Sequence, residues 1–401
     1  MKTSTFLFEV ITPCFCGGAE PEKQAEIRAP SIRGHLRWWF RTLGGFKSLA
    51  ARGMTIRDQE SLIFGTTAGN EGRAGRLMLR VVPPQPNSKT ANANDLGAGM
   101  NTPLGYALFP LRPFGQSDGR RGKISESARF RVSVLWGGQP QHWESICALL
   151  AIWGHLGSLG FRGRRGFGAL RLMEPFVSLP DALKHFASPG GVQVLKLTNA
   201  NATNWRSTSA ALVGWYRSWR HHGQMNRTWV WNDVQQRSKG GWWKPVAPPQ
   251  KDQNRAQPGF KYARRDHNEG LDVQGTRAPN PDPDQAQGTP GQTFRPALGL
   301  PIIQFFSSLG DSNGPLPRPR ATVNWDWDFD TVANKGKGRF ASPVLLRPYR
   351  DATGTWHALV IFVDAHRWPE GKQVFLNGQP RSVSLDLYNT MKRDQHLTPF
   401  P

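Results

Sequence analysis

The chain alternates between two kinds of hydrophobic spacing, and that alternation sets out its elements. Phe6, Phe8 and Val10 sit on one face of a period-two stretch, which predicts a strand over Thr3–Thr12 that ends at Gly17-Gly18. Ile32, Leu36, Trp39, Phe40 and Leu43 recur at spacings of three and four, predicting a helix over Ser31–Leu43 with Ser31 as its cap. Arg76–Val82 reads as a short strand. Arg129–Leu135 alternates strictly and reads as another. His142–Leu159 is the strongest helical pattern, apolar at Ile146, Leu149, Leu150, Trp153 and Leu156, and a strand follows over Leu170–Val177. The stretch Pro83–Glu126 is long and polar, and it reads as a surface loop with one short strand at Tyr106–Leu111.

The order strand-helix-strand-strand-helix-strand is the ferredoxin-like, or RRM-like, plan. A shift in composition at Ser188-Pro-Gly-Gly marks a boundary, giving an N-terminal domain over 1–188 and a C-terminal one over 189–401. In the second half, Val192–Leu197 predicts a strand, Ala210–Arg220 a helix, and Ser342–Tyr349 with Trp356–Ala365 a strand pair turned at Gly354. The span 245–296 is polar with little periodicity and reads as a mobile insertion. The expected fold class is therefore α+β: two RRM-like (ferredoxin-like) domains with long loop insertions.

Charge changes the picture next. Fifty-one Lys and Arg against 29 Asp and Glu leave a net charge of +22, which favours polyanionic partners, nucleic acid above all. The longest apolar run, Ile146–Trp153, is far short of the ~18 residues that a membrane span needs, so no membrane association is expected. Cys14, Cys16 and Cys147 cannot build a disulfide framework, and with no recognisable secretory signal a cytoplasmic setting is expected. Sixteen Trp beside so many cations suggest rings for unstacked bases and charges for phosphates. Seven of them lie in Trp205–Trp243.

Two motifs carry the chemistry. In Gly160-Phe-Arg-Gly-Arg-Arg-Gly-Phe-Gly168, the glycines Gly160, Gly163, Gly166 and Gly168 let backbone N–H groups turn outward, with Phe167 among them. Arg162, Arg164 and Arg165 supply charge at close range, a combination suited to a sugar-phosphate backbone. No Gly-Lys-Ser/Thr follows, so it is not a nucleotide P-loop; a plain helix C-cap with basic residues is the alternative. In the first helix, Arg33, Arg37 and Arg41 form a stripe flanked by Trp38; this is either an RNA-facing stripe or a solvated basic face over a core helix.

Other candidates are weaker. His35 or His155 could serve as a general base, but neither has an acid or Tyr at a readable spacing. Cys14-x-Cys16 has no second pair, and Asp326, Asp328 and Asp330 alternate with Trp and Phe as a solvated strand face would. No catalytic residue, metal site or cofactor is expected.

Several local patterns together resemble a known family. They are Thr12-Pro13 before Gly17-Gly18, Ile32-Arg33-Gly34 with Leu36-Arg37-Trp38-Trp39, and Leu159-Gly160 running into Arg164-Arg165-Gly166-Phe167-Gly168. This set resembles the RAMP superfamily of CRISPR proteins. The Trp-Trp helix, with Leu298–Ile302 and Arg339–Val344, narrows the resemblance to the first-subunit family of the type III-B Cmr effector complex. That resemblance implies a non-catalytic RNA-binding subunit in antiviral defence, at the head of the complex near the guide 3′ end, helping to capture target RNA. It implies guide RNA (crRNA) and target RNA as partners, together with other Cmr subunits, especially the sixth subunit and the repeated backbone subunit. It also implies that the Gly-rich loop contacts guide RNA. The alternative within the superfamily is a metal-independent endoribonuclease that processes guide RNA.

Overall fold

The computed structural model describes residues 1–67, 72–84, 89–99, 102–113, 115–220, 257–273, 285–300 and 339–400. Beyond these it describes the backbone of strands at 229–232, 242–245, 302–306, 321–326, 329–330 and 335–336. The chain divides into two compact units. One comprises Met1–Gly214, Val344–Ala365 and Gln395–Pro401, and the other Trp215–Pro343 and His366–Asp394.

In the first unit, β1 (Lys2–Val10), α1 (Ala29–Thr42), α2 (Ile56–Phe64), β2 (Leu77–Val82), β3 (Arg129–Trp136), α3 (Trp143–Leu156) and β4 (Leu170–Glu174) follow in chain order. The strands form an antiparallel sheet ordered β2-β3-β1-β4, the ferredoxin-like arrangement. Alternation in β1 and β3 buries Phe6, Phe8, Phe130, Val132 and Val134 on one face, where Phe8 meets the Trp153 ring of α3 edge-on at 4.8 Å. Gly154 lets α3 approach this closely, since a Cβ there would lie 2.8 Å from Leu172 Cβ and 3.0 Å from the Phe8 ring.

A second array in the same unit has β5 (Val192–Leu197), the start of α4 (Trp205–Arg220), β6 (Val344–Arg350), β7 (Trp356–Val363) and β8 (Leu397–Pro399); in sequence, a helix over Asp386–Lys392, which belongs to the second unit, separates β7 from β8. Its sheet is ordered β6-β7-β5-β8, again antiparallel throughout. Val192, Leu345, Ile361 and Val363 belong to the same apolar core as Phe6, Phe8 and Trp153, so both sheets share one interior. Residue 188 accordingly falls inside the first unit, between its two sheets.

Three local expectations are corrected. Tyr106–Leu111 is not a strand: a helix covers Pro103–Ala107, capped by the Thr102 hydroxyl, and a 3-10 turn covers Phe109–Leu111. Pro103 and Pro110 fit helical first turns and cannot donate to a sheet ladder. The surrounding stretch is also not a bare surface loop. Lys89–Ala91 pairs with Arg121–Lys123, and Leu96, Leu104, Leu108 and Leu111 are buried. Finally, α1 is capped at Arg28 and not at Ser31, with Pro30 in the first turn and no side-chain cap.

The second unit holds a five-stranded sheet whose order is 292–293, 379–383, 373–376, 321–326 and 302–306. Trp325, Trp368, Val374 and Leu376 pack in its core. A helix runs over Phe260–Val273, inside the span expected to be irregular. It is pinned by polar contacts: buried Asp266 accepts from the Phe294 and Arg295 amides and from Arg295 Nε at 2.8 Å. Glu269 accepts from Arg381 Nε at 2.9 Å. Residues 246–256 and 274–284 lie outside the described residues. No helix among the described residues is long and apolar enough to cross a membrane.

Candidate nucleic-acid interface

The Gly-rich loop is not a helix cap. Helix α3 stops at Leu156, and Gly157 caps it by donating to the Trp153 carbonyl, three residues before the loop begins. The last carbonyls of α3 are taken by a residue nearly two hundred positions away. Arg347 on β6 is buried and donates to the carbonyl oxygens of His155 at 2.9 Å, Gly154 at 3.0 Å and Leu170 at 2.5 Å. Burial holds its guanidinium down to about 9.

The loop itself is drawn into the fold by its backbone. Gly160, Gly166 and Gly168 take left-handed φ values of +75°, +90° and +64°. Arg162 does so too, at 63°, where a non-glycine residue is strained. Phe161 N–H donates to Phe15 O at 2.8 Å, Gly168 N–H to Pro13 O at 2.9 Å, and Ala169 N–H to Thr12 Oγ1 at 2.8 Å. A Cβ at Gly160 would lie 2.5 Å from the Phe15 oxygen, and one at Gly168 would overlap the Leu159 carbonyl. The Thr12-Pro13 signature and the Gly-rich loop are thus two sides of one contact.

The three loop arginines have distinct settings. Arg162 reaches the carbonyls of Ala107 and Tyr106. Arg165 donates to the Arg164 and Val344 carbonyls, both at 3.1 Å, while its own segment bridges to Leu346 on β6. The Arg164 guanidinium lies 5.0 Å from the centre of the Trp38 ring. Burial and the neighbouring Arg165 hold Arg164 down to about 10. Carbonyls and rings orient a guanidinium without neutralising it.

The structure sorts the remaining expected site residues. Phe167 is wholly buried, 6.5 Å from Phe15 and 6.4 Å from Trp205 by ring centroids, so it packs the loop inside the fold. Gly166 and Gly168 are buried beside it, and Gly163 is half-buried. The outward ring of the loop is Phe161, 42% exposed, which the sequence reading passed over. The arginine stripe of α1 is turned toward α2. Arg33 donates to the Phe64 and Leu77 carbonyls, and Arg37 and Arg41 pair with Glu60 at 2.6 Å and 3.5 Å. Arg33 is an internal anchor, then, and Arg37 and Arg41 are partly compensated. Trp38 is half-buried against the core and meets Trp39 edge-on at 4.8 Å, whereas Trp39 is fully core.

The two histidines also separate. His155 is buried, with Nδ1 3.1 Å from the Tyr349 hydroxyl and Nε2 2.7 Å from the Val177 carbonyl, and burial lowers its pKa. That is a structural histidine. His35, half-buried beside Arg164, is lowered by burial and then by that guanidinium. Cys14 and Cys16 are both buried, and among the described residues no cluster of His, Cys, Asp or Glu could hold a metal ion. Asp328 and the side chains of Asp326 and Asp330 lie outside the described residues, while Trp325 beside them is buried.

The tryptophan count overstated the supply of stacking rings. Trp39, Trp136, Trp153, Trp205, Trp215, Trp219, Trp325 and Trp368 are all buried, half of the sixteen. Trp215 and Trp219 both donate to Asp394 Oδ2, at 2.7 Å and 2.9 Å, and Trp205 donates to Glu126. The side chains of Trp229, Trp231, Trp242 and Trp243 lie outside the described residues.

Residues 7–171, nearly the whole of the first ferredoxin-like array, match the RAMP superfamily. The resemblance carried by the Gly-rich loop and the Trp-Trp helix is borne out there. More particularly, the chain is homologous to Cmr1 subunits of Pyrococcus furiosus. It is 30% identical to the CRISPR system Cmr subunit Cmr1-1 over 178 residues, which is 43% of this chain and 45% of that protein. It is 27% identical to Cmr subunit Cmr1-2 over 190 residues, 43% of this chain and 96% of that one. The chain thus aligns with less than half the length of the first of these relatives. In structure it is similar to apo Cmr1 of the same organism over 99% of this chain and 98% of that one, with a TM-score of 0.53 at 16% identity. That similarity extends the shared fold to both arrays.

Proposed function

We propose that this chain is a non-catalytic RNA-binding subunit of a CRISPR effector complex of the Cmr type, with guide RNA held at the Gly-rich loop. The carrying observation is the loop: three arginines within four residues, fixed by glycine geometry to the end of β1 and oriented by carbonyls and the Trp38 ring. A phosphate placed there relieves the mutual repulsion of Arg164 and Arg165. Phe161 at the loop surface supplies a ring against which a base can stack. The homology to Cmr subunits supports assembly with other subunits, and the position near the guide 3′ end and contact with target RNA belong to the same reading.

No nucleolytic step is assigned. His155 is committed to Tyr349 and Val177, and His35 has no carboxylate or Tyr among its described contacts. The test is incubation of the purified chain with end-labelled single-stranded guide RNA, with EDTA, Mg²⁺ or Mn²⁺. The reading expects a retarded, full-length RNA under every condition. Specific cleavage in EDTA that is abolished by His35→Ala makes the chain a guide-processing endoribonuclease instead.

A further inference from the structure

The first sheet has a second face, and along β2 and β3 it is not covered by any helix among the described residues. Along β2 and β3 the outward positions are Met78, Arg80 and Val82, and Arg129, Arg131, Ser133 and Leu135. The register places Val82 opposite Arg131, Arg80 opposite Ser133 and Met78 opposite Leu135, so these side chains form one contiguous lattice. Met78 and Val82 are each 46% exposed. Arg80, Arg129 and Arg131 are exposed, and among the described residues none of the three makes a side-chain hydrogen bond or ion pair. This contrasts with the stripe on α1, where Glu60 answers Arg37 and Arg41.

We propose that this face is a protein-docking surface that takes an acidic, amphipathic segment of another subunit of the assembly. The inference rests on the reading of the chain as a subunit. Three observations choose the occupant. The face combines Arg and Met with aliphatic side chains and carries no Lys at these positions, the composition enriched at the centre of protein interfaces. It carries no aromatic ring at these positions, so it lacks the stacking platforms that single-stranded RNA uses. A second copy docked by two-fold symmetry would set arginines against arginines, a like-charge arrangement that disfavours self-association. Arg80 and Arg131 are diagonal neighbours across β2 and β3, about 7–8 Å apart at the backbone. Two carboxylates at alternate positions of a strand, ~6.5 Å apart, match that spacing, and apolar side chains two positions further along the same strand face would lie over Met78 or Val82.

Hydroxyl-radical footprinting of Met78 and Val82 tests this in three samples: the chain alone, the chain with single-stranded oligouridine, and the complex assembled by co-expression with Cmr-type subunits from the same source. The proposal expects oxidation in the first two samples, protection in the third, and at least a tenfold loss of assembly affinity in Arg80→Glu/Arg131→Glu. That variant should keep its thermal transition and its oligouridine affinity. Protection by RNA alone, or a complex that assembles and leaves Met78 oxidised, overturns the proposal. Protection that grows with the concentration of the isolated chain would make the face a self-association surface and also overturns it. Failure to assemble at all counts against the proposed function itself and is read separately from the footprint.

Discussion

Arg164 of the Gly-rich loop stacks over Trp38 of α1, with 5.0 Å between the guanidinium carbon and the ring centre. The contact joins the two motifs that stand out in the sequence, 126 residues apart, at one place on the first array. A cation held on a ring should be worth about 0.5–2 kcal/mol. In a double-mutant cycle of Trp38→Leu and Arg164→Gln, scored by RNA affinity, a coupling of that size is expected. Strictly additive losses would mean that the ring does not position the arginine.

The same helix predicts an order of stability. Trp39 is 1% exposed and Trp38 only half-buried, so Trp39→Ala should cost about 3–5 kcal/mol and Trp38→Ala distinctly less. Urea unfolding of both variants reads the order directly, and Trp38→Ala proving the costlier change would invert the helical phase.

How far the sequence reveals this can be followed residue by residue. Period-two spacing marks β1 and β3 because each sheet has one covered face, so Phe6, Phe8, Phe130 and Val132 announce themselves. The α1 core face is legible for the equivalent reason at period 3.6. The partners of the charges are not legible, because they come from elsewhere in the chain. Glu60 answers Arg37 from another helix, Asp394 collects the indole N–H groups of Trp215 and Trp219, and Arg347 closes α3 from β6. Reading Trp and Arg as RNA ligands from composition alone therefore counted rings and cations that the fold consumes. Within the loop, alternation between Phe161 and Phe167 cannot say which ring faces outward; the contacts with Phe15 and Trp205 decide it.

That consumption lowers the expected salt dependence. Arg33, Arg37, Arg41 and Arg220 all have partners within the chain, and Arg217 is buried. With about three to five phosphates met at the loop and its surroundings, log K should fall against log salt with a slope of about −2 to −3.5, taking ~0.7 per phosphate. A titration of the isolated chain from low to moderate salt checks this. A slope steeper than about −6 would require a cationic surface well beyond the loop.

Arg347 is expected to matter more for stability than for binding. Arg347→Met strands the carbonyls of Gly154, His155 and Leu170 in the interior, a loss of about 3 kcal/mol or more. A lysine cannot reproduce the fork, so Arg347→Lys should rescue little. Thermal or urea unfolding that leaves either variant near wild type would contradict the role assigned to it.

Stability should also fall on acidification. Burial lowers the pKa of His35, His142 and His155, and of His267 to about 4, so these rings are neutral in the fold. In the unfolded chain they protonate near 6.5, so the unfolded state binds more protons between the folded and unfolded pKa values. Their contribution is complete above pH ~6.5 and is lost progressively below it. A urea midpoint at pH 5 equal to or higher than that at pH 7.5 would contradict the assignment of neutral buried rings.

The central claim is that RNA is held at the Gly-rich loop, beside Trp38. Photo-crosslinking of 4-thiouridine-substituted guide RNA to the purified chain, with the attachment sites mapped by mass spectrometry, addresses it most directly. The account predicts attachment within Gly157–Ala169, centred on Phe161 and Arg164, together with Trp38, and loss of those crosslinks in Arg162→Ala/Arg164→Ala/Arg165→Ala. Crosslinks confined to other segments, with RNA affinity unchanged in the folded triple variant, would contradict it.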